Sequence, residues 1–538
     1  MPSGGGDDIR QMLDGAVFYG GRYGMESLGL FTSKLLVVDL THGRVRKEPL
    51  ERRLVEETMG GQGVNTRLAY DLIPARADPL GPENVLIFGA GAFVGTMVPG
   101  AGRMVVSGKS PLNNFYASSN SGTFATMLKF AGYDHLIVTG KAERPVFLKI
   151  VDDDVTIEDA TFLWGKDTYE TTESLWQRYP QAWVTCIGPA GENQVPYAVI
   201  ISNKFSTNGS GGLGAVMGSK LLKAIVVYGS KGVAAAQPGP FMAESRRAIN
   251  DLMSGYYTLW WRELGTMIQI QDMAGPGTQA RRERASVDLD QWTSIFRGQL
   301  RVREMGCPSC PVACKQVLQY PGKEEYFPVS CSIGTVTVPF VEHARIPLDS
   351  PEEILRCAET ANRLGLSALA GHGGGPAVQN LIGMAMSLYE QGVLTQEQTG
   401  GLELRRGDAK LVQRILREMA YKEGFGGLLA QPGGGVVGSL GLGPAKHFVH
   451  KGHYIGTHDT GALYDGGKRW TVLPFGQIVD PRGDGPGTAY GSPTWRPGRN
   501  AASLKRYGLR IGIHAEDVEK VFTDERDGYD TPRLVHAT

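Results

Sequence analysis

The chain has little cysteine, no net charge and no long apolar run. Six cysteines in 538 residues are too few for a disulfide framework. Lysine plus arginine and aspartate plus glutamate both number 55, so the formal charge is zero. That balance excludes a global electrostatic partner such as nucleic acid or anionic lipid. No stretch approaches the roughly 18 apolar residues of a membrane-spanning helix. The opening MPSGGGDDIRQMLDG lacks the apolar core of a secretory signal and reads as the start of a flexible segment, residues 1–33. These absences, with thiols spaced for metal rather than for disulfides, point to a soluble protein of the reducing cytoplasm.

What the chain has in excess is glycine, 74 residues, nearly twice the usual share of about 7%. No collagen-like period or low-complexity tract contains them. They lie in folded segments, where glycine permits positive φ or close backbone approach. Such a backbone can wrap around something large and anionic.

Residues 34–235 read as β-rich. KLLVVDLTHGRVRKEPL is strand, His42-Gly43 turn, strand, and Val85–Phe88 is an apolar run entering a glycine loop. AVMGSKLLKAIVVYGS closes the region with a short helix and a strand. From about residue 240 the pattern turns helical. SPEEILRCAETANRLG starts at Ser350-Pro351 with acids in its first turn, and AVQNLIGMAMSLYEQG places Leu381, Met384, Ala385 and Leu388 on one face before Gly392. DAKLVQRILREMAYKEG is a third amphipathic helix. After about residue 430 regular structure gives way to glycine and proline. No internal repeat is visible. The expected fold class is α+β: a β-rich domain over 34–235, a helical domain over 236–370 and a helical and irregular domain over 371–538.

The strongest chemical signal is CPSCPVAC, with Cys307, Cys310 and Cys314 in a C-x₂-C-x₃-C array. Pro308 and Pro311 restrict the backbone so that turns can aim the sulfurs at one centre. An iron–sulfur cluster is favoured over zinc, although a cubane takes four thiolates. The plain alternative is a chance cluster or a zinc knuckle short of one ligand. Two glycine-rich loops follow, Asn120-Ser121-Gly122 and Asn208-Gly209-Ser210-Gly211-Gly212, each before a short helix. Backbone N–H groups in such loops can cradle phosphates. Each alone is an ordinary tight turn; both together, with Arg103 in VPGAGRMVV, point to a ligand with more than one phosphate. KHFVHKGHYIGTHD gathers His447, His450, His453 and His458, which could bind metal but read more plainly as a polar loop. Cys331, in EEYFPVSCSIG, is either a metal ligand or a buried thiol; Cys186 and Cys357 lie in apolar patterns and read as core.

The runs GGQGVNTRLAYDLIPARADPLGPENVLIFGAGAFVGTMVPGAGR, NSGTFATMLKFAGYDHLIVTGKAERPV, IGPAGEN and GGLGAVMGSKLLKAI resemble the N-terminal domain of the aldehyde:ferredoxin oxidoreductases, and CPSCPVAC resembles their cluster motif. The resemblance implies that 34–235 is a pterin-binding domain. It implies a tungsten or molybdenum bis-pyranopterin, a 4Fe–4S cluster held by Cys307, Cys310 and Cys314, and Mg²⁺ bridging the pterin phosphates. Backbone carbonyls of Asn120 and Thr207 would ligate that Mg²⁺, which suits a hard cation. Arg103, Asn120, Ser121, Gly122, Ser206, Thr207, Gly209, Leu366, Asp480 and Arg482 match cofactor-contacting positions. The implied reaction is oxidation of a small aldehyde, with ferredoxin or an iron–sulfur electron-transfer subunit as acceptor. The superfamily's tungsten-dependent aromatic acyl-CoA reductases offer a second substrate class, and there Cys331 would be the catalytic metal ligand.

The departures are specific. Ser206 and Ser210 stand where the family carries arginines, and Asn362 and Ser367 replace an aspartate pair around the Gly365-Leu366 turn. Arg356 and Glu359 occupy the places of an interface iron site; Asp480-Pro481-Arg482-Gly483 is retained, but the histidine expected after it is missing, and Phe327 replaces an expected acid. No cysteine follows Cys357, so the fourth cluster ligand is expected from a second chain that completes the helical region, from a segment beyond Thr538, from a histidine, or from Cys331. A degenerate paralogue that keeps only the fold is the reading from another class.

Overall fold

The computed structural model describes residues 29–112, 114–208, 211–265, 289–328, 340–341, 344–367 and 378–431, with short pieces at 449–450, 453–454, 505–506, 509 and 514–521. Its first part is built from two six-stranded sheets. The first holds β1 (Lys34–Asp39), β2 (Arg44–Pro49), β3 (Leu86–Ala90), β4 (Met104–Lys109), β5 (Tyr116–Ser121) and β6 (His135–Thr139), in the order β2-β1-β6-β3-β4-β5. The second holds β7 (Val146–Val151), β8 (Asp154–Asp159), β9 (Trp183–Cys186), β10 (Ile200–Ser202), β11 (Ser206–Asn208) and β12 (Leu222–Tyr228), in the order β8-β7-β12-β9-β10-β11.

These two orders are the same order. Each sheet opens with a hairpin on one edge, β1–β2 and β7–β8. Its last strand pairs in parallel with the first, β6 with β1 and β12 with β7; the other pairings are antiparallel. Helices fall at matching places. Helix α1 (Arg52–Thr58) and α2 (Gln62–Leu72) follow the first hairpin, and α3 (Phe124–Phe130) follows β5; α4 (Thr168–Arg178) follows the second hairpin, and α5 (Leu213–Ser219) follows β11. The domain is therefore a structural duplication, which corrects the expectation of no repeat. The sequence hides it because strand pairing depends on period-2 burial, which many different residues satisfy.

β1 shows that period. Leu36 and Val38 point into a core shared by both sheets with α3 and α5, while Leu35 and Val37 pack under α1 and α2. In the second repeat Leu148 and Ile150 join the shared core, while Phe147 packs beneath α4 with Val184 and Leu175. Each such side chain contributes about 1.5–3 kcal/mol when fully buried. The first hairpin turns at Gly43, whose φ of +60° favours glycine.

The later region has its own core, formed mainly by α6 (Pro351–Leu364), α7 (Val378–Glu390) and α8 (Ala409–Tyr421). α6 starts behind Ser350 with Glu352 and Glu353 in its first turn and stops at Gly365 in the left-handed conformation. α8 starts where the Asp408 carboxylate accepts from the Leu411 N–H at 2.9 Å. The cysteine array does not sit among helices. It fills the turn between β13 (Arg301–Met305) and β14 (Lys315–Gln319), which pair antiparallel, with β15 (Tyr326–Pro328) beyond. Among the described residues no helix is long and apolar enough to cross a membrane.

Candidate cofactor site

The two glycine-rich loops occupy equivalent positions in the two repeats, one after β5 and one after β11, and they meet. Gly122 has φ +73°, and a Cβ built on it would lie 2.3 Å from Asn208 Nδ2. Only a residue without a side chain lets the first loop come that close to the second. Asn120 and Ser121 end β5 opposite Val105 and Met104, so Arg103, just ahead of β4, lies beside the same loop. On the second side Thr207 pairs with Ile201, and the Asn208 amide donates to Ser202 Oγ at 3.1 Å. Asn208 Oδ1 is buried with no protein partner. Gly211 and Gly212 follow at φ +84° and +77°, and a Cβ on Gly212 would lie 2.5 Å from the Pro196 carbonyl oxygen. α3 and α5 are only seven residues each, so the backbone turns, rather than helix dipoles, shape these loops.

The thiol loop packs against the Arg103 turn: a Cβ on Gly102 would lie 3.2 Å from the Pro308 carbonyl oxygen. Inside the loop the Cys310 N–H donates to the Cys307 carbonyl at 3.0 Å. Ser309 and Ala313 both hold positive φ, at 57° and 48°, a conformation that side-chain-bearing residues rarely adopt. Gly265 closes in from another side, since a Cβ there would lie 2.6 Å from the Cys314 carbonyl oxygen. Backbone strain held in place by such packing is a mark of functional loops. Cys307, Cys310 and Cys314 are all partly exposed, and none of the five described cysteines forms a disulfide. Among the described residues no three His, Cys, Asp or Glu side chains stand close enough to hold a metal ion. The three thiols share one constrained loop.

Leu366 is tied to the second repeat. It bridges Ala198, while Val199 N–H donates to the Gly365 carbonyl at 2.9 Å and Ser367 N–H to the Tyr197 carbonyl at 3.0 Å. Asn362, where the resemblance leads one to expect an acid, is used structurally: its amide donates to Tyr169 Oη and to the Lys204 carbonyl, both at 3.0 Å. Arg356 and Glu359 pair with one another at 3.0 Å. Glu359 also takes Arg363 Nε at 2.9 Å and the Tyr320 hydroxyl, and Arg363 reaches Asp167 at 3.0 Å. Burial, with the Glu359 charge beside it, pushes the Tyr320 hydroxyl well above the ordinary phenol range. An ionic network therefore occupies these positions.

The chemistry of these parts fits the cofactors that the resemblance implies. The orphaned Asn208 oxygen and the side-chain-free approach at Gly122 form a polar cradle between equivalent loops, and three thiols lie on a loop touching the Arg103 turn. Gly209, Ser210, Cys331, Asp480 and Arg482 lie outside the described residues, as do His447 and His458; His450 and His453 pair through a two-residue ladder, Val449–His450 with His453–Tyr454. Sequence reasoning missed Lys315. It follows Cys314 directly, yet its Nζ donates to Ser206 Oγ at 2.6 Å on the second repeat. A lone lysine beside a cysteine motif gives no hint of that reach.

This duplicated sheet domain, with its paired loops and thiol turn, is the architecture of a redox-cofactor protein. The chain belongs to the aldehyde ferredoxin oxidoreductase family: the family's N-terminal domain matches residues 35–229, and its domains 2 and 3 match residues 244–471. It is 33% identical over 419 residues to the tungsten-containing aldehyde ferredoxin oxidoreductase of Pyrococcus abyssi, covering 75% of this chain and 66% of that enzyme. The matched stretch thus spans just under two thirds of that relative's length. It is 29% identical over 469 residues to the WOR-like subunit of an aliphatic sulfonate oxidoreductase from Pyrococcus furiosus, covering 80% of this chain and 71% of that one. Among solved structures, the active-site complex BamBC of benzoyl coenzyme A reductase, bound to 1,5-dienoyl-CoA, matches with a TM-score of 0.67 at 28% identity. That match covers 79% of this chain and 66% of the other. The family is one of oxidoreductases, and its members named here include tungsten enzymes.

Proposed function

We propose that the chain is the catalytic subunit of a tungsten- or molybdenum-bis-pterin enzyme that oxidises aldehydes to carboxylates. The balance is aldehyde plus water giving carboxylic acid, two protons and two electrons. Cys307, Cys310 and Cys314 would hold a 4Fe–4S cluster, which would supply a one-electron relay towards ferredoxin or an iron–sulfur electron-transfer subunit. The observation that supports this reading most directly is the contact of Gly102 with Pro308, which sets the Arg103 turn against the thiol loop. Electron transfer needs the metal site and the cluster to be neighbours.

A pterin-bound tungsten or molybdenum would supply the two-electron chemistry. The chain's own residues hold and orient the group. Arg103 offers a planar guanidinium that can bond bidentately to a phosphate or pterin oxygen. The carbonyls of Asn120 and Thr207 are hard oxygen donors that would suit a Mg²⁺. By the resemblance, Ser121, Gly122, Ser206, Gly209, Leu366, Asp480 and Arg482 would take the remaining cofactor-contacting roles. Domains at 34–235, 236–370 and 371–538, a cytoplasmic setting and a second chain that contributes to the cluster belong to the same proposal.

A second reading is favoured by the likeness to the benzoyl coenzyme A reductase complex: reduction of an aromatic acyl-CoA, with Cys331 as metal ligand. Chain purified anaerobically with its co-purifying subunits separates the two. Aldehyde-dependent reduction of ferredoxin supports the first, and turnover on aromatic acyl-CoA alone supports the second. Protein with neither tungsten nor molybdenum and no iron would sink both and leave the degenerate paralogue. Arg103→Ala should lower bound pterin and metal in a chain that stays folded; full occupancy would remove Arg103 from the site.

A further inference from the structure

We propose that Lys315 supplies the positive charge for a phosphate held beside Ser206 and Asn208 of the second repeat. This rests on the reading above, in which a ligand with two phosphates lies between the repeats.

Lys315 is an unusual buried lysine. It is 4% exposed, and its Nζ has one oxygen partner, Ser206 Oγ at 2.6 Å, with the Phe205 ring 4.9 Å away. Among the described residues it has no carboxylate within ion-pair distance. The other buried lysines are better served: Lys109 donates to the Ala75 and Ala77 carbonyls. Lys129 donates to the Gly91 and Ala92 carbonyls and lies 3.8 Å from Asp134; Lys220 donates to the Asn84 and Gly140 carbonyls; Lys223 pairs with Glu192. A buried ammonium with three donors and one hydroxyl partner is costly unless an anion completes its shell.

The position of Lys315 identifies that anion. Ser206 opens β11, and two residues on, Asn208 keeps a buried amide oxygen without a partner. Amide oxygen and nitrogen exchange by a half-turn, which would give the oxygen to the Ser202 hydroxyl and free an N–H for a guest. The loop then runs through Gly211 and Gly212 at positive φ, and 206–212 contains no basic side chain. The duplication sharpens the point. In the first repeat the residue before β4 is Arg103; in the second the residue before β10 is Val199, 1% exposed, with its N–H bonded to Gly365. The second half has no cation of its own there. Lys315 reaches across from the thiol loop and provides one, so a single residue touches the second loop and adjoins a thiol. It is a cofactor-binding residue contributed by the later region.

The test uses the full chain, purified anaerobically with its partners. Tungsten or molybdenum, iron, and pterin released and read by fluorescence are measured per chain, with the melting temperature. Lys315→Met should hold about tenfold less metal and pterin, the loss expected for one charge-assisted hydrogen bond, with iron unchanged. Lys315→Arg should restore both. If methionine at 315 does not fold, Lys315→Gln, with a neutral polar end, should show the same loss. A neutral variant loaded like wild type overturns the proposal. So does one that loses iron and keeps pterin, since the charge would then serve the thiolates. Unchanged pterin with weakened acyl-CoA binding would move the phosphate to a substrate and also overturn it. Wild type without pterin or metal would sink the parent reading and this one together, whereas a loaded wild type with an equally loaded Lys315→Met sinks this one alone.

Discussion

Gly122 and Asn208 touch across the two repeats, the one in the left-handed region and the other with its Nδ2 where a Cβ on residue 122 would be, 2.3 Å away. Gly122→Ala would therefore strain the backbone and push Asn208 off Ser202. We expect the variant to melt a few degrees lower, for a cost of about 1–3 kcal/mol, and to hold several-fold less metal and pterin. Thermal melting with elemental analysis reads both. Wild-type values in the variant would mean that the loops are free to part.

The described cysteines divide into two groups. Cys186 is buried, and burial pushes its thiol up to about 11; burial pushes Cys357 higher still. Both should resist alkylation in the folded chain near pH 8, because the thiolate is the nucleophile. Cys307, Cys310 and Cys314 are partly exposed and should react once iron is removed. Serine at any of these three should cut iron per chain and the broad visible absorbance, while serine at 186 should leave iron unchanged. Mass spectrometry of the labelled peptides and iron analysis decide the matter.

On β6, opposite Gly89, His135 donates its Nδ1 proton to Asn65 Oδ1 at 2.7 Å, since the Asn65 amide nitrogen is engaged with Ile87, Val105 and Ser107. Burial, reinforced by the Lys129 charge, lowers the imidazole to about 3. An unfolded histidine titrates near 6.5, so between those values the unfolded state binds a proton that the folded state does not. Stability contributed by the neutral ring is present above about pH 6.5 and is lost as pH falls towards 3, by up to about 1.4 kcal/mol per pH unit. Denaturant unfolding of His135→Gln should lack that part of the slope. Parallel pH profiles for the two proteins would refute it.

Asn362 invites a substitution back to the acid that the resemblance leads one to expect. Its Nδ2 is committed to Tyr169 Oη and the Lys204 carbonyl. Asn362→Asp would set a carboxylate oxygen against that carbonyl and cost about 1–3 kcal/mol of stability unless the carboxyl stays protonated. The melting temperature should therefore fall near neutral pH and recover as the solution is acidified. No change at either pH would show that the amide does not clip α6 to the second repeat.

The sequence made the helices legible because their signals are local. Pro351 in the first turn and Gly365 past the last bracket α6, and the Asp408 carboxylate caps α8. The first hairpin was readable from the glycine turn and the alternating apolar residues of KLLVVD. The cysteine array was visible as a metal motif, but its setting between β13 and β14 was not, since RVREM and KQVLQ are short strands rich in polar residues. Lys315 was invisible as a site residue, and Asn208, though it opens the second glycine loop, gave no sign that its side chain meets Gly122. Their meaning depends on which strand lies across from them, and pairing between strands distant in sequence leaves little trace in either strand alone. The duplication was hidden for the same reason.

The duplicated halves do not merely resemble each other; they share one core. Leu36, Val38 and Phe88 from the first sheet lie in the same apolar layer as Leu148, Ile150 and Ile225 from the second. Either half alone would leave that layer wet, an apolar face too large for a soluble monomer. A chain of one half would stay folded only by covering that face with a copy of itself, as an isologous dimer does. Carrying both halves in one polypeptide lets them differ: Arg103 precedes β4, whereas Val199 precedes β10.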